Sequence, residues 1–310
     1  MNKIAFIFPG QGAQYVGMAH DFYEAFPIVR ETFEEASKIL STDFTRLILE
    51  GPEQELILTK NSQPAIFIVS VAILRCIQQQ FPHLQPSICA GLSLGEYTAL
   101  YASGRISFAD ALKIVAARGQ YMQEACLERQ GTMRVVLGMD PALVAANLPA
   151  DVWIANLNCP GQVVIAGAVS AMAEAEERLK AQGAKRVLPL EVSGAFHTPF
   201  MRSAQEKLKS YLLSVPLLES PVQLVMNVPG DFVDSIPEIR EHLIAQVASP
   251  TQWEKGIRLL EDVDLFIEIG PGKTLTGMNK KIGVKGQTLN IEKTTDLAQL
   301  ENLYAASTQG

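Results

Sequence analysis

Gly91-Leu92-Ser93-Leu94-Gly95 sets a serine between two glycines, with a short apolar run over residues 87–90 before it and a helix-like stretch over 96–101 after it. A nucleophile elbow needs that context. The glycines allow a sharp strand-to-helix turn, and the serine is lifted clear of the sheet. The Leu94 amide would then lie at a helix start, free to donate to an oxyanion. The plainer alternative is a strand–helix turn with a capping serine. A serine nucleophile needs a base, and the chain has four histidines: His20, His83, His197 and His242. His20 leads into the first helix, His83 is in a loop beside a proline, and His242 falls on a polar helix. His197 follows a small-residue loop, Ser193-Gly194-Ala195-Phe196, from which an imidazole could reach over a cleft. Its alternative is a surface loop histidine. No acid is placed to orient it, so a backbone carbonyl is the candidate. Glu96 reads as a favourable charge at a helix N-terminus.

Arg118 shares a helix face with Ala111, Ile114, Val115 and Met122. A guanidinium among apolar side chains needs an anion, either the carboxylate of a ligand or an internal Asp or Glu. Pro9-Gly10-Gln11-Gly12 follows the first apolar run, and its amides could complete an oxyanion hole. Gly270-Pro271-Gly272-Lys273-Thr274 has the look of a nucleotide loop, but the pattern needs glycine where Ile267 stands, so no ATP site is expected. Lys273, Lys280, Lys281 and Lys285 make a local basic stretch, either a solvated face or a guide for an acidic partner.

These groups must be carried by a scaffold. Residues 4–8, 87–90, 223–226 and 265–269 read as buried parallel strands, and 21–40, 65–79 and 110–124 as helices between them. The alternation predicts an α/β layer fold with a mostly parallel, hydrolase-like core sheet. Between residues 127 and 195 the order changes to β-α-β-β-α-β, the ferredoxin-like pattern. We expect a small inserted domain over 127–195 and a large catalytic domain built from 1–126 and 196–310, with the site in the cleft between them.

The chain has 310 residues, 48% of them hydrophobic and 19% charged, which suffices for a large core and leaves no disordered segment. A net charge of −7 argues against a general nucleic-acid binder. The four cysteines have neither CxxC spacing nor a histidine cluster, so neither a metal site nor a disulfide framework is expected. The start is too short for a signal peptide, and the longest apolar run, residues 65–74, falls short of a membrane span. A cytoplasmic protein without membrane contact is expected.

Taken together, the motifs resemble those of bacterial malonyl-CoA:acyl carrier protein transacylase and the acyltransferase domains of fatty acid and polyketide synthases. FPGQGAQYVGM over residues 8–18, GLSLGEYTAL over 91–100, RGQYMQEA over 118–125, NCPGQVVIAG over 158–167, SGAFHTPFM over 193–201, SPTQW over 249–253 and IEIGPGKTLTG over 267–277 follow the family in order. The resemblance implies Ser93 as nucleophile, His197 as base, the Gln11 and Leu94 amides as oxyanion hole, Arg118 as holder of the malonyl carboxylate and the Gln252 carbonyl as the group that orients the histidine. A bulky Phe196 before the histidine goes with malonyl rather than methylmalonyl. Two positions depart from the family: Leu92 stands where histidine is usual, and Arg134 where a small apolar residue is usual, the latter with a potential effect on the carrier channel. Malonyl-CoA, CoA and acyl carrier protein are the implied partners of a monomer that needs no metal or redox cofactor. The carrier would serve fatty acid or polyketide synthesis. The rivals are an acyl-carrier hydrolase on the same scaffold and a non-catalytic carrier-docking module.

Overall fold

A computed structural model describes residues 3–192 and 194–307. Met1, Asn2 and Ser193, the first residue of the expected histidine loop, lie outside the described residues. The strands are β1 (Ile4–Phe8), β2 (Ile88–Gly91), β3 (Gly131–Leu137), β4 (Val152–Cys159), β5 (Gln162–Ala168), β6 (Arg186–Pro189), β7 (Gln223–Met226), β8 (Asp231–Phe232), β9 (Leu265–Ile269) and β10 (Gln287–Ile291). One sheet has the order β10-β9-β1-β2-β7-β8 and is parallel except for the short β8. β1 and β2 run side by side in register, Phe8 opposite Gly91. Their following loops, Pro9–Gly12 and the elbow, therefore leave the sheet together at its carboxyl edge, where open α/β sheets place their ligands.

The helix Thr59–Gln80 is buried on all sides over residues 62–74 and packs against the helix Phe108–Glu128. The latter starts on Ser107, whose hydroxyl accepts from the Asp110 amide at 3.1 Å. The two helices touch at Gly119, where a Cβ would lie 2.8 Å from the Thr59 carbonyl oxygen. That contact brings the neighbouring Arg118 to Gln63.

Four strands form a separate antiparallel sheet ordered β4-β5-β3-β6, with the helices Pro141–Ala146 and Val169–Ala181 in the crossovers. This is the ferredoxin-like arrangement. Val136, Ile165, Met172 and Leu179 fill a core under those helices. From the opposite face Met133, Val164 and Ala166 join the core of the large sheet. Arg134 lies in register between Met133 and Val135 and pairs with Glu176 of the helix Val169–Ala181. It therefore points to the helical side of the insert and does not line the cleft.

Several elements differ from expectation. Residues 21–40 form two helices, His20–Ala25 and Pro27–Leu40, because Pro27 holds Phe26 extended at φ −123° and ψ 120°. The helix expected over 65–79 begins at Thr59 and runs through Pro64. β8 and β10 were not expected; the latter, QTLNI, is a mixed edge strand without a continuous apolar run.

Candidate active site

The elbow depends on its glycines. A Cβ at Gly91 would lie 2.0 Å from the Gly95 carbonyl, and one at Gly95 would lie 2.2 Å from the Phe8 carbonyl oxygen. Ser93 sits at φ 53°, in the left-handed region that side chains other than glycine avoid. Asn227, just past β7, braces it: its Oδ1 accepts from the Ser93 amide at 2.6 Å, and its Nδ2 donates to the Gly91 carbonyl at 2.7 Å.

His197 comes from a loop that only small residues can thread. A Cβ at Gly194 would lie 2.2 Å from Cys126 Sγ, and one at Gly131 would lie 2.6 Å from Ala195 Cβ. The loop brings His197 Nε2 within 2.9 Å of Ser93 Oγ. Its Nδ1 meets the Gln246 carbonyl at 2.8 Å. A carbonyl only accepts, so Nδ1 carries the proton and Nε2 is left to accept from the hydroxyl. The imidazole is 4% exposed. Burial, then the Arg118 charge, lowers its pKa to about 4, partly offset by the backbone of Gln246 and Ser249. It is neutral at physiological pH.

The carbonyl on the imidazole corrects one expectation, since it belongs to Gln246 rather than Gln252. Gln246 ends the helix Ile236–Gln246, where carbonyls lack their intrahelical donors and are open to a side chain. Gln252 starts the next helix instead: its amide donates to the Asn227 carbonyl at 2.7 Å, and its own carbonyl accepts from Gly256 at 3.1 Å.

Arg118 is 1% exposed and donates to three groups: Gln63 Oε1 at 2.6 Å, Gln246 Oε1 at 2.8 Å and Ser93 Oγ at 3.1 Å. Among the described residues its Nε has no acceptor. Burial lowers its pKa, opposed by Tyr97 and Glu96. The guanidinium thus lies in direct contact with the nucleophile, surrounded by neutral amides instead of a bonded carboxylate. The Gln11 side chain joins the same row through Gln63 and Thr59, at 3.3 Å each. Among the described residues the backbone amides of Gln11 and Leu94 meet no protein acceptor.

Gln63, Asn227 and Gln246 were not expected from the sequence. None sits in a recognisable pattern, and each reaches the site from a different element. Glu96 lies in the first turn of the helix Gly95–Ala102, as expected, but with partners the sequence did not show. It is buried, and its two oxygens accept from the Asn227 amide and the Gln246 side-chain amide. Burial raises its pKa to about 8, while those donors and Arg118 pull it down. Phe196 is buried in the large core beside His197. Leu92 packs on an apolar cluster with Ala5, Ile7, Ala90 and Leu275. At the rejected nucleotide loop, Glu268 accepts from the amides of Leu275 and Thr276 at 3.0 and 2.7 Å, occupying donors that a phosphate would need. Among the described residues no cluster of His, Cys, Asp and Glu could hold a metal, no disulfide joins the buried cysteines, and no helix is long and apolar enough to cross a membrane. A groove of about 480 Å³ leads to His197 between Leu148, Trp153 and Ile154 of the insert and Pro199, Ala248 and Pro250.

A strained serine, a neutral buried imidazole and two open amides at the edge of an α/β sheet define a serine enzyme of acyl carbonyl chemistry. Comparison with known proteins narrows the class, for residues 5–295 match the acyl transferase domain family, to which the chain belongs. The malonyl CoA-acyl carrier protein transacylase of Bacillus subtilis (strain 168) is 42% identical over 311 residues, covering 96% of each chain. That of Escherichia coli (strain K12) is 43% identical over 289 residues, covering 91% of this chain and 93% of that one. Among solved structures, a malonyl-transacylase in complex with its type II PKS acyl-carrier protein superposes with a TM-score of 0.93 at 39% identity, covering 97% of this chain and 99% of that one.

Proposed function

We propose that this protein moves a malonyl group from malonyl-CoA to the phosphopantetheine thiol of an acyl carrier protein through a malonyl ester on Ser93. The malonyl carboxylate pairs with Arg118, displacing its contacts with the neutral amides. His197 Nε2 takes the Ser93 proton as Oγ attacks the thioester carbon. The oxyanion rests on the Gln11 and Leu94 amides. As the tetrahedral adduct collapses, the carbon–sulfur bond breaks and the imidazolium returns its proton to the departing CoA thiolate. The carrier thiol then enters along the groove beside His197 and gives its proton to the imidazole as its sulfur attacks the ester carbon; the ester carbon–oxygen bond breaks, and the imidazolium returns the proton to Ser93 Oγ. The kinetics are ping-pong, and the steps balance without a redox group. Phe196, buried against the base, limits room beside the acyl α-carbon.

The observation that carries this reading is the Arg118 guanidinium in contact with Ser93 Oγ. A hydrolase on this scaffold would need Ser93 and His197 but no cation at the acyl site. Intact-protein mass spectrometry after brief mixing with malonyl-CoA tests it, with Ser93→Ala as control. A malonyl adduct on the wild type alone is expected. Free malonate without an adduct would favour the hydrolase.

A further inference from the structure

Glu96 takes no part in the transfer as written, yet it is 1% exposed in the first turn of the helix Gly95–Ala102. Each of its two donors has a second task at the site. Asn227, whose amide meets one carboxylate oxygen, brackets the strained Ser93 by accepting from its amide at 2.6 Å and donating to the Gly91 carbonyl at 2.7 Å. Gln246, whose side-chain Nε2 meets the other oxygen, also donates to the Ser93 carbonyl at 2.8 Å. Its Oε1 accepts from Arg118 at 2.8 Å, and its backbone carbonyl holds His197 Nδ1 at 2.8 Å.

We propose that Glu96 is a positioning residue of the transfer, whose carboxylate fixes Gln246 and Asn227 so that nucleophile, base and guanidinium are set as one unit. The proposal rests on the reading of Ser93 as the acylated residue. Two N–H groups point at this carboxylate, one at each oxygen. Both carboxyl oxygens accept here, and an amide nitrogen in place of either would set hydrogen against hydrogen. The Gln246 amide is also fixed in sense. With Nε2 held by Glu96, Oε1 is left facing Arg118; if the amide turned over, its NH2 would face a cation. Arg118 from the helix Phe108–Glu128, His197 from its loop and Tyr97 from the same helix as Glu96 are the other ionisable groups of this cluster. Arg118 is linked to the Glu96 carboxyl through the Gln246 side chain.

The test compares Glu96→Gln, which keeps size but puts a donor in place of one acceptor oxygen, with Glu96→Asp, which keeps both oxygens but is shorter. Two rates are read: Ser93 acylation by malonyl-CoA, and Ser93 sulfonylation by phenylmethylsulfonyl fluoride, which needs the Ser–His pair but no carboxylate site. Thermal midpoints report the fold. Glu96→Gln is expected to lose about 10²-fold in both rates, as for a misplacement of catalytic groups, and Glu96→Asp to lose less. A folded Glu96→Gln within about threefold of wild type, or faster than Glu96→Asp, overturns the proposal, because a residue that only fills space would favour the isosteric change. Should Glu96→Gln fail to fold, Gln246→Met decides. It keeps the backbone carbonyl on His197 and removes the amide, so a sulfonylation rate within about threefold of wild type overturns the proposal. A wild type that is sulfonylated but takes no malonyl defeats the malonyl reading instead, and the sulfonylation series still tests Glu96.

Discussion

Replacing Arg118 by alanine separates a carboxylate receptor from a structural cation. In the free protein the guanidinium donates to Gln63, Gln246 and Ser93 Oγ and keeps an unused Nε–H. On the proposed reading, a malonyl carboxylate there would take charge-assisted hydrogen bonds from a guanidinium that is 1% exposed. Losing one partner of such a pair leaves the other charge buried and costs about 3–5 kcal/mol. At about 1.4 kcal/mol per decade, acylation by malonyl-CoA falls by about 10²-fold to about 4 × 10³-fold. An acetyl donor has no carboxylate and loses only the contact of Arg118 with Ser93 Oγ, one charged hydrogen bond of about 1.5 kcal/mol or roughly tenfold. The malonyl-to-acetyl ratio should therefore fall by about 10-fold to about 400-fold in Arg118→Ala. Arg118→Lys, which restores a point charge without the fork, should recover part of the malonyl rate only. The assay is single-turnover formation of acyl-Ser93 with each donor, quenched and weighed as intact protein. Equal losses for the two donors, within about threefold, would refute the assignment and make Arg118 a brace for the elbow.

The depressed His197 gives a pH signature. The acid limb of kcat/KM for malonyl-CoA, which reports the free enzyme, should lie near the value of about 4 set by burial and Arg118, while that of kcat should lie higher because a bound carboxylate offsets the Arg118 charge. The same shift acts on stability. The folded chain binds fewer protons than the unfolded one between about 6.5 and about 4, so the His197 contribution makes the fold less stable as pH falls through that window, and His197→Gln should flatten the decline in thermal midpoint. Gly95→Ala should destabilise the fold by about 3 kcal/mol and abolish acylation, since its Cβ would lie 2.2 Å from the Phe8 carbonyl oxygen, whereas Gly277→Ala, with open space around it, should stabilise by about 0.5–1 kcal/mol; thermal melts of both check this. Lys273 and Lys280 line one surface groove, while Lys281 is engaged with Gln162 and Lys285 lies 3.6 Å from Glu261. Changing Lys273 and Lys280 to Glu should raise KM for the carrier without slowing acylation by malonyl-CoA; unchanged carrier kinetics would exclude this face.

The parts legible in the sequence were those with a local signature. Apolar runs stopped by glycine or proline marked β1, β2, β7 and β9, and the succession of elements in the insert was legible as β-α-β-β-α-β. Ser93 announced itself because the elbow needs glycine at 91 and 95 for steric reasons within five residues. Arg118 stood out because a cation on an apolar face demands an explanation. What remained hidden is long-range. Asn227 reaches Ser93 across 134 positions, and Gln246 reaches it across 153. Neutral amides leave no mark in charge or hydropathy. Gln246 and Gln252 illustrate the limit: two glutamines flank the same turn, and only the end of the preceding helix decides which carbonyl faces the imidazole. Glu96 was placed at its helix N-terminus, but its tie to Gln246 and Asn227 was hidden, because both partners lie more than 100 positions away.

This mode of construction bears on how the groups act together. Gln246 alone touches Glu96, Ser93, His197 and Arg118, so no one of the four is independent of the others. On the reading proposed above, a malonyl carboxylate that takes the Arg118 donors would free Gln246 Oε1 of its cation while Nε2 stays on Glu96. The base then faces a neutralised guanidinium and gains proton affinity at the moment it must accept the Ser93 proton. A substrate without the carboxylate leaves the cation uncompensated beside the base. On that reading, selectivity for the charged acyl group would arise in the chemical step as well as in binding, and substitutions at these positions should combine non-additively.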